Sequence, residues 1–223
     1  MTEPAPLKNK KILIVEDHPL FRSMLVQLVE KELGMMVCGE VDNIRDALVV
    51  IEKTRPDAAI VDITLNGSSG LELLKNIAAR NLQLPVLVLS MHEESLYAER
   101  VLRAGARGYI SKQEAPSVVV EAIRKMMAGG IYVSERMNAT ILERLKYVEK
   151  TVQPTGIDVL SDREIEVFEL IGRGIDPAAV AQRLNLGINT VATYRTRIRE
   201  KLGLKNAAEL YQRAAIWVAT RNE

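Results

Sequence analysis

The chain has 223 residues, 48% of them hydrophobic and 26% charged, with 30 basic against 29 acidic side chains. That length allows one large domain or two small ones, and the balance is that of a globular protein, without the strong net charge of a polyanion or polycation binder. No apolar run approaches the roughly 20 residues of a membrane helix, and the polar start MTEPAPLKNKK lacks the apolar centre of a signal peptide, so a cytoplasmic protein without a membrane segment is expected.

Cys38 is the only cysteine, which excludes an intramolecular disulfide and suits a reducing compartment; its MMVCGEV setting makes it an inert strand residue. Charge is even along the chain, with 16 basic and 17 acidic residues over 1–133 and 10 against 9 over 158–223. Between residues 190 and 205, however, Arg195, Arg197, Arg199, Lys201 and Lys205 face only Glu200, a local anion-binding candidate.

In chain order, Val- and Ile-rich runs predict strands at 11–15, 35–41, 57–61, 84–90 and 107–111. Helical spacing lies between them: Leu20, Met24 and Leu28; Ala47, Val50 and Ile51; Leu71, Leu74 and Ile77; Ala98, Val101 and Leu102; Val119, Ile123 and Met126. Strands alternating with helices imply a parallel sheet covered on both faces, with ligands at the carboxyl ends of its strands. Those ends carry Glu16 and Asp17 after the first strand, Asp62 after the third, Ser90 after the fourth and Lys112 after the fifth.

Three converging carboxylates repel one another unless a cation sits among them, and hard oxygen ligands suit Mg²⁺, or Mn²⁺, with positions left for phosphate oxygens. Lys112 and the Ser90 hydroxyl can hold such oxygens, and the Asp62 carboxylate can attack phosphorus to form an aspartyl phosphate. His18 is expected to cap or pack near the first helix; for His92, two residues past Ser90, a place at the border of the site is the lesser alternative.

The stretches LIVEDHPLFR, PDAAIVDITLNGSSGLELL, PVLVLSMHEE and AGARGYISK resemble the receiver domain of two-component response regulators over about residues 9–130. The resemblance implies a flavodoxin-like, doubly wound, five-stranded parallel domain in which a sensor histidine kinase phosphorylates Asp62. Glu16, Asp17 and Asp62 would bind Mg²⁺ together with the Thr64 backbone carbonyl, Ser90 and Lys112 would contact the phosphoryl oxygens, and Tyr109 would be the aromatic whose rotamer follows the state. Asn66-Gly67 stands where the family often has a proline, which predicts a more mobile loop, and Gln113 replaces a common proline after the lysine.

After MMAGGIYVS the strand–helix rhythm stops. Residues 131–157 read as a linker, with an amphipathic helix on Met137, Ile141, Leu145 and Val148 that TVQPTG then breaks. Residues 158–223 are helical without strands. Ser161 and Glu164 form a capping-box pattern, Asp176 and Pro177 open a second helix expected to stop at Gly187, and Asn189 is the expected cap of a third. Two helices joined by so short a turn are a helix-turn-helix.

In that third helix Val191, Tyr194, Ile198 and Leu202 form the inner stripe. Ala192, Thr193, Thr196, Arg197 and Glu200 are left outward with Arg195 and Arg199 on the flanks, a face suited to a DNA major groove, and Asn189, Thr190 and Lys201 are expected as further DNA contacts. The stretch REIEVFELIGRGIDPAAVAQRLNLGINTVATYRTRIREKLGL resembles the LuxR/NarL class of DNA-binding domain, which implies a four-helix domain whose last helix, about 206–219, forms the dimer contact. Ala192 and Tyr194 replace a lysine and a histidine common in that class, which bears on target sequence.

The expectation is a non-enzymatic transcription factor with a receiver at 1–130, a linker at 131–157 and a helix-turn-helix domain at 158–223. Its partners would be a sensor histidine kinase, double-stranded promoter DNA and, on phosphorylation, a second copy. A Mg²⁺-dependent phosphohydrolase with an aspartyl nucleophile is the competing class, but it wants a second aspartate where this chain has Thr64; a receiver that never takes phosphate is argued against by the intact set of five positions.

Overall fold

The computed structural model describes residues 7–65, 68–91, 94–146 and 156–220. Two compact units divide the chain, Met1–Glu149 and Lys150–Glu223.

In the first unit the strands are β1 (Lys11–Val15), β2 (Met36–Val41), β3 (Ala58–Asp62), β4 (Thr64–Leu65), β5 (Ser68–Ser69), β6 (Val86–Ser90) and β7 (Gly108–Ser111). The helices are α1 (Pro19–Leu33), α2 (Ile44–Thr54), α3 (Gly70–Ala79), α4 (Glu94–Arg103), α5 (Pro116–Met127) and α6 (Glu135–Lys146). Five strands form one parallel sheet in the order β2-β1-β3-β6-β7. Central strands buried on both faces read as unbroken apolar runs, and β1, β3 and β6 do. The order reverses between β1 and β3, so their carboxyl ends, with Glu16 and Asp62, flank the crevice where doubly wound sheets bind ligands.

Local chemistry sets the helix ends. Pro19 and Pro116 begin α1 and α5, Asn43 caps α2 by accepting from the Asp46 amide, and α1 ends at Gly34, whose φ of 64° favours glycine. The buried face of α1 is Leu25, Val29 and Leu33, so the expected stripe through Leu20 is displaced: Leu20 is 89% exposed. The other four expected stripes bury at least two of their three residues. The antiparallel pair β4–β5, two residues in each strand, was not foreseen. Asn66, Gly67 and His92 lie outside the described residues, so the expectations placed on them do too.

The helix foreseen in the linker is α6, and it belongs to the first unit. It packs on α4, buries Met137, and its first turn is fixed where the Ser134 amide donates to Glu94 Oε1 at 2.9 Å. Just before it, Tyr132 pairs with the edge of β7: its carbonyl accepts from the Tyr109 amide at 3.0 Å and its amide donates to the Arg107 carbonyl at 2.9 Å. The expected stripe beyond Ile141 lies outside the described side chains.

The second unit comprises a 3₁₀ turn (Gly156–Val159), α7 (Asp162–Gly172), α8 (Pro177–Arg183), α9 (Ile188–Leu202) and α10 (Ala207–Ala219). Helix α7 packs on α10, α9 and α8; the Phe168 and Trp217 rings lie 5.5 Å apart, and Gly172 lets α7 approach the α10 backbone, since a Cβ there would sit 2.4 Å from the Ala214 carbonyl oxygen. The capping box at Ser161 and Glu164 forms as expected, as does the Asp176 cap of α8.

Two boundaries differ from expectation. Helix α8 ends at Arg183, four residues before Gly187, because Asn185 takes the left-handed turn with φ of 51°. Gly187 then occupies the N-cap of α9, which puts Asn189 inside the first turn.

Candidate functional site

Glu16 follows β1 and is 1% exposed, its amide held by the Val41 carbonyl at 2.9 Å. Asp62 closes β3 at 3% exposure. Between them lies Lys112, just past β7, fixed by its amide donating to the Ser90 carbonyl at 2.7 Å. Its ammonium reaches Glu16 Oε1 at 2.8 Å and Asp62 Oδ2 at 2.7 Å, and sits 4.8 Å from the centroid of the Phe21 ring. Arg22 braces the loop from α1, donating to the Glu16 carbonyl at 2.5 Å.

The Asp62 carboxyl is pushed up from 3.8 to about 6: burial is the largest cause, Lys112 opposes it and Glu16 adds to it. The Thr64 amide donates to Asp62 Oδ1 at 3.1 Å, and Thr64 pairs with Ser69 across the small hairpin. Ser90 is fully buried at the end of β6. Tyr109 is fully buried in β7.

Two features of the site were not anticipated. Gly70 opens α3 directly against β3: a Cβ there would lie 2.1 Å from the Asp62 carbonyl oxygen, while its amide donates to the Ile63 carbonyl at 2.8 Å. Only glycine fits so close an approach, and the contact joins residues that sequence spacing alone does not bring together. His18 was expected to cap or pack. It stands at the N-cap of α1 but makes no side-chain cap bond, and its ring is 74% exposed.

Glu16, Asp17 and Asp62 carry three negative charges against the one positive charge of Lys112, a deficit that a divalent cation cancels. Asp17 Oδ1 is buried and accepts no hydrogen bond. One donor atom each from Glu16, Asp17, His18 and Asp62 lies within 4.8 Å of the others, so the residues present fit a divalent ion.

In the second unit, Val191 and Ile198 of α9 are buried and Tyr194 and Leu202 half-buried, as expected. Asn189, Thr190, Thr193, Thr196 and Arg197 are exposed. The Thr193 hydroxyl donates to the Asn189 carbonyl at 2.9 Å, which leaves its oxygen available as an acceptor. Arg195 and Arg199 are half-buried on the flanks; the Arg195 guanidinium lies 5.3 Å from the centroid of the Tyr211 ring of α10. Lys201 is engaged within the unit, its ammonium 2.6 Å from Glu164 Oε2, and Glu164 titrates below its usual value: burial works against the shift, and the Lys201 and Ser161 bonds outweigh it.

A switch-point carboxylate site in one unit and a helix-turn-helix in the other define a class: a receiver of a chemical signal fused to a DNA-binding reader. Residues 12–124 match the response regulator receiver domain and residues 158–214 the luxR family of bacterial regulatory proteins. Among curated proteins the chain is similar to the transcription regulator BvgA of Bordetella pertussis, 36% identical over 90% of this chain and 94% of that one. It is also similar to the response regulator UvrY of Escherichia coli, 32% identical over 89% and 90% respectively.

Among solved structures, a LuxR-family response regulator from Aurantimonas covers 62% of the chain and 99% of its own at 30% identity and a TM-score of 0.58. The response regulator RcsB of Salmonella typhimurium, at 23% identity and a TM-score of 0.62 over 95% of this chain and 98% of its own, shares the fold. The chain belongs to the response regulators that carry a luxR-type output domain, and it regulates transcription in two-component signalling. No helix among the described residues is long and apolar enough to cross a membrane.

Proposed function

We propose that Asp62 is the phosphoacceptor of this regulator, that a sensor histidine kinase is the donor, and that phosphorylation in the cytoplasm drives pairing of two chains on a two-half-site promoter. The observation that carries the reading is the Lys112 ammonium set between Glu16 and Asp62 at 2.8 and 2.7 Å, with Asp17 alongside. Asp62 attacks phosphorus, the bond from phosphorus to the kinase imidazole nitrogen breaks, and that nitrogen keeps the electron pair. Lys112 and Ser90 hold the phosphoryl oxygens, and the Thr64 amide holds the other Asp62 oxygen in place.

Glu16, Asp17 and Asp62, with the Thr64 carbonyl, would hold Mg²⁺, which supplies charge neutralisation for the phosphoryl oxygens. On DNA, Thr193, Thr196 and Arg197 face base edges, Asn189 and Thr190 lie at the start of the helix, and Arg195 and Arg199 meet phosphates; Lys201, held by Glu164 at 2.6 Å, joins them only by leaving that pair. A single helix-turn-helix reads one half-site, so two copies are needed for a symmetric operator, with α10 as their contact.

Phosphate-affinity electrophoresis after incubation with acetyl phosphate and Mg²⁺ tests the acceptor: wild type shifts and Asp62→Asn does not. Analytical ultracentrifugation and DNA binding with and without beryllofluoride test the coupling. Equal mass and equal affinity in the two conditions overturn it.

A further inference from the structure

Beside the three carboxylates stands a fourth donor that the phosphotransfer reading does not use. His18 Nδ1 lies 2.9 Å from Asp17 Oδ1 and 3.4 Å from Glu16 Oε1, yet Asp17 Oδ1 accepts no hydrogen bond. The contact is within ion-pair distance but out of hydrogen-bonding alignment, and a ring nitrogen shares one small volume with an oxygen from each of Glu16, Asp17 and Asp62, all within 4.8 Å of one another. The imidazole makes no cap bond to α1, stands 74% in solvent, and among the described residues pairs only with these two carboxylates.

The backbone beneath it is nevertheless fixed. The His18 amide donates to Glu16 Oε1 at 3.0 Å, and the proline that follows restricts the His18 backbone to the extended conformation it adopts. Donors about 2.1 Å from one ion can be at most about 4.2 Å apart. The cluster spans no more than 4.8 Å, so a closure of a few tenths of an ångström at each donor completes the shell, and the exposed ring has the freedom to supply its part.

Resting on the reading that this site holds a divalent cation, we propose that His18 is an additional ligand of it. The site then takes nitrogen-preferring divalent ions of the Ni²⁺ and Zn²⁺ class, in competition with Mg²⁺. Mg²⁺ is satisfied by carboxylates and waters and gains little from an imidazole, whereas the later first-row ions bind imidazole strongly and rank above it in affinity for mixed nitrogen and oxygen sites. An ion of this class would engage the Asp62 carboxylate, the group proposed to take the phosphoryl.

Isothermal titration calorimetry on the untagged full chain decides the matter, with Ni²⁺ and Mg²⁺ titrated separately into wild type, His18→Ala, His18→Asn and His92→Ala. Both His18 variants are expected to weaken Ni²⁺ binding about tenfold or more while Mg²⁺ binding changes less than about twofold; tenfold corresponds to about 1.4 kcal/mol. His92→Ala is expected to match wild type for both ions. An equal loss for Ni²⁺ and Mg²⁺ in the His18 variants would make His18 a shape-keeping residue and overturn the proposal, as would Ni²⁺ binding indifferent to His18 or lost only with His92. Failure of wild type to bind Mg²⁺ at all would instead overturn the underlying reading of a cation site, and this inference with it.

Discussion

Replacing Asp62 by Asn should make the receiver unit more stable in the absence of divalent ions, although it removes the proposed acceptor. Asn keeps the side-chain volume and an oxygen for the Thr64 amide, and leaves Lys112 paired with Glu16. The Asp62 carboxyl titrates at about 6 in the folded protein instead of 3.8, chiefly because it is buried. A raised folded value means that the protonated form is favoured: its contribution to stability is complete below about 3.8 and lost as the pH rises through about 6. At 1.36 kcal/mol for each pH unit between those values, ionised Asp62 costs the folded unit about 3 kcal/mol at neutral pH.

Asp62→Asn removes that cost. For a unit of the size of Met1–Glu149 this is a rise in Tm of roughly 6–12 °C at pH 7.5, falling to about half by pH 5, where wild-type Asp62 is mostly protonated. Differential scanning calorimetry in EDTA at both pH values measures the gain, and saturating Mg²⁺ should raise wild type toward the variant. A variant no more stable than wild type at pH 7.5, or a gain that does not shrink at pH 5, would refute the claim that a buried charge only partly offset by Lys112 sits at this strand end.

Further outcomes follow from the same geometry. Asp17→Ala should weaken Mg²⁺ binding by about tenfold or more, by calorimetric titration, and abolish Mg²⁺-dependent phosphorylation, because one carboxylate of three is gone. Gly70→Ala should destabilise the first unit by about 1–3 kcal/mol in urea unfolding and slow phosphorylation, since its Cβ would press on the Asp62 backbone at 2.1 Å. Arg199→Ala should weaken binding to all DNA alike and flatten the salt dependence by about one unit of slope. Arg197→Ala should instead change preference at one or two base pairs by about 1–3 kcal/mol each; salt titration and binding-site selection on both variants separate the two effects.

The acceptor site was legible because each of its charged residues interrupts or ends an apolar run, so Glu16, Asp62 and Lys112 could be placed on one edge from the strand pattern alone. What escaped was set by tertiary contact. Leu20, Met24 and Leu28 satisfy helical spacing as well as Leu25, Val29 and Leu33 do, and only the sheet beneath α1 chooses between the stripes. Gly70 looks like an ordinary helix start until α3 is seen against the Asp62 carbonyl. Asn189 is a better cap by residue type than Gly187, yet Asn185 turns the chain early and moves the start of α9 forward by two residues. The α6 pattern revealed a helix but not that it would dock on α4, because an apolar stripe carries no address.

The pairing of Tyr132 with β7 makes that strand a short rod with a load at each end. One end is Lys112, set between Glu16 and Asp62; near the other, Arg107 and Tyr109 hold Tyr132 through two backbone hydrogen bonds of 2.9 and 3.0 Å. Only about three residues, or roughly 10 Å of strand, separate Tyr109 from Lys112, too little length to absorb a displacement by bending. A displacement of the lysine on the proposed phosphorylation would have this short path to the root of α6, with those two bonds as its coupling.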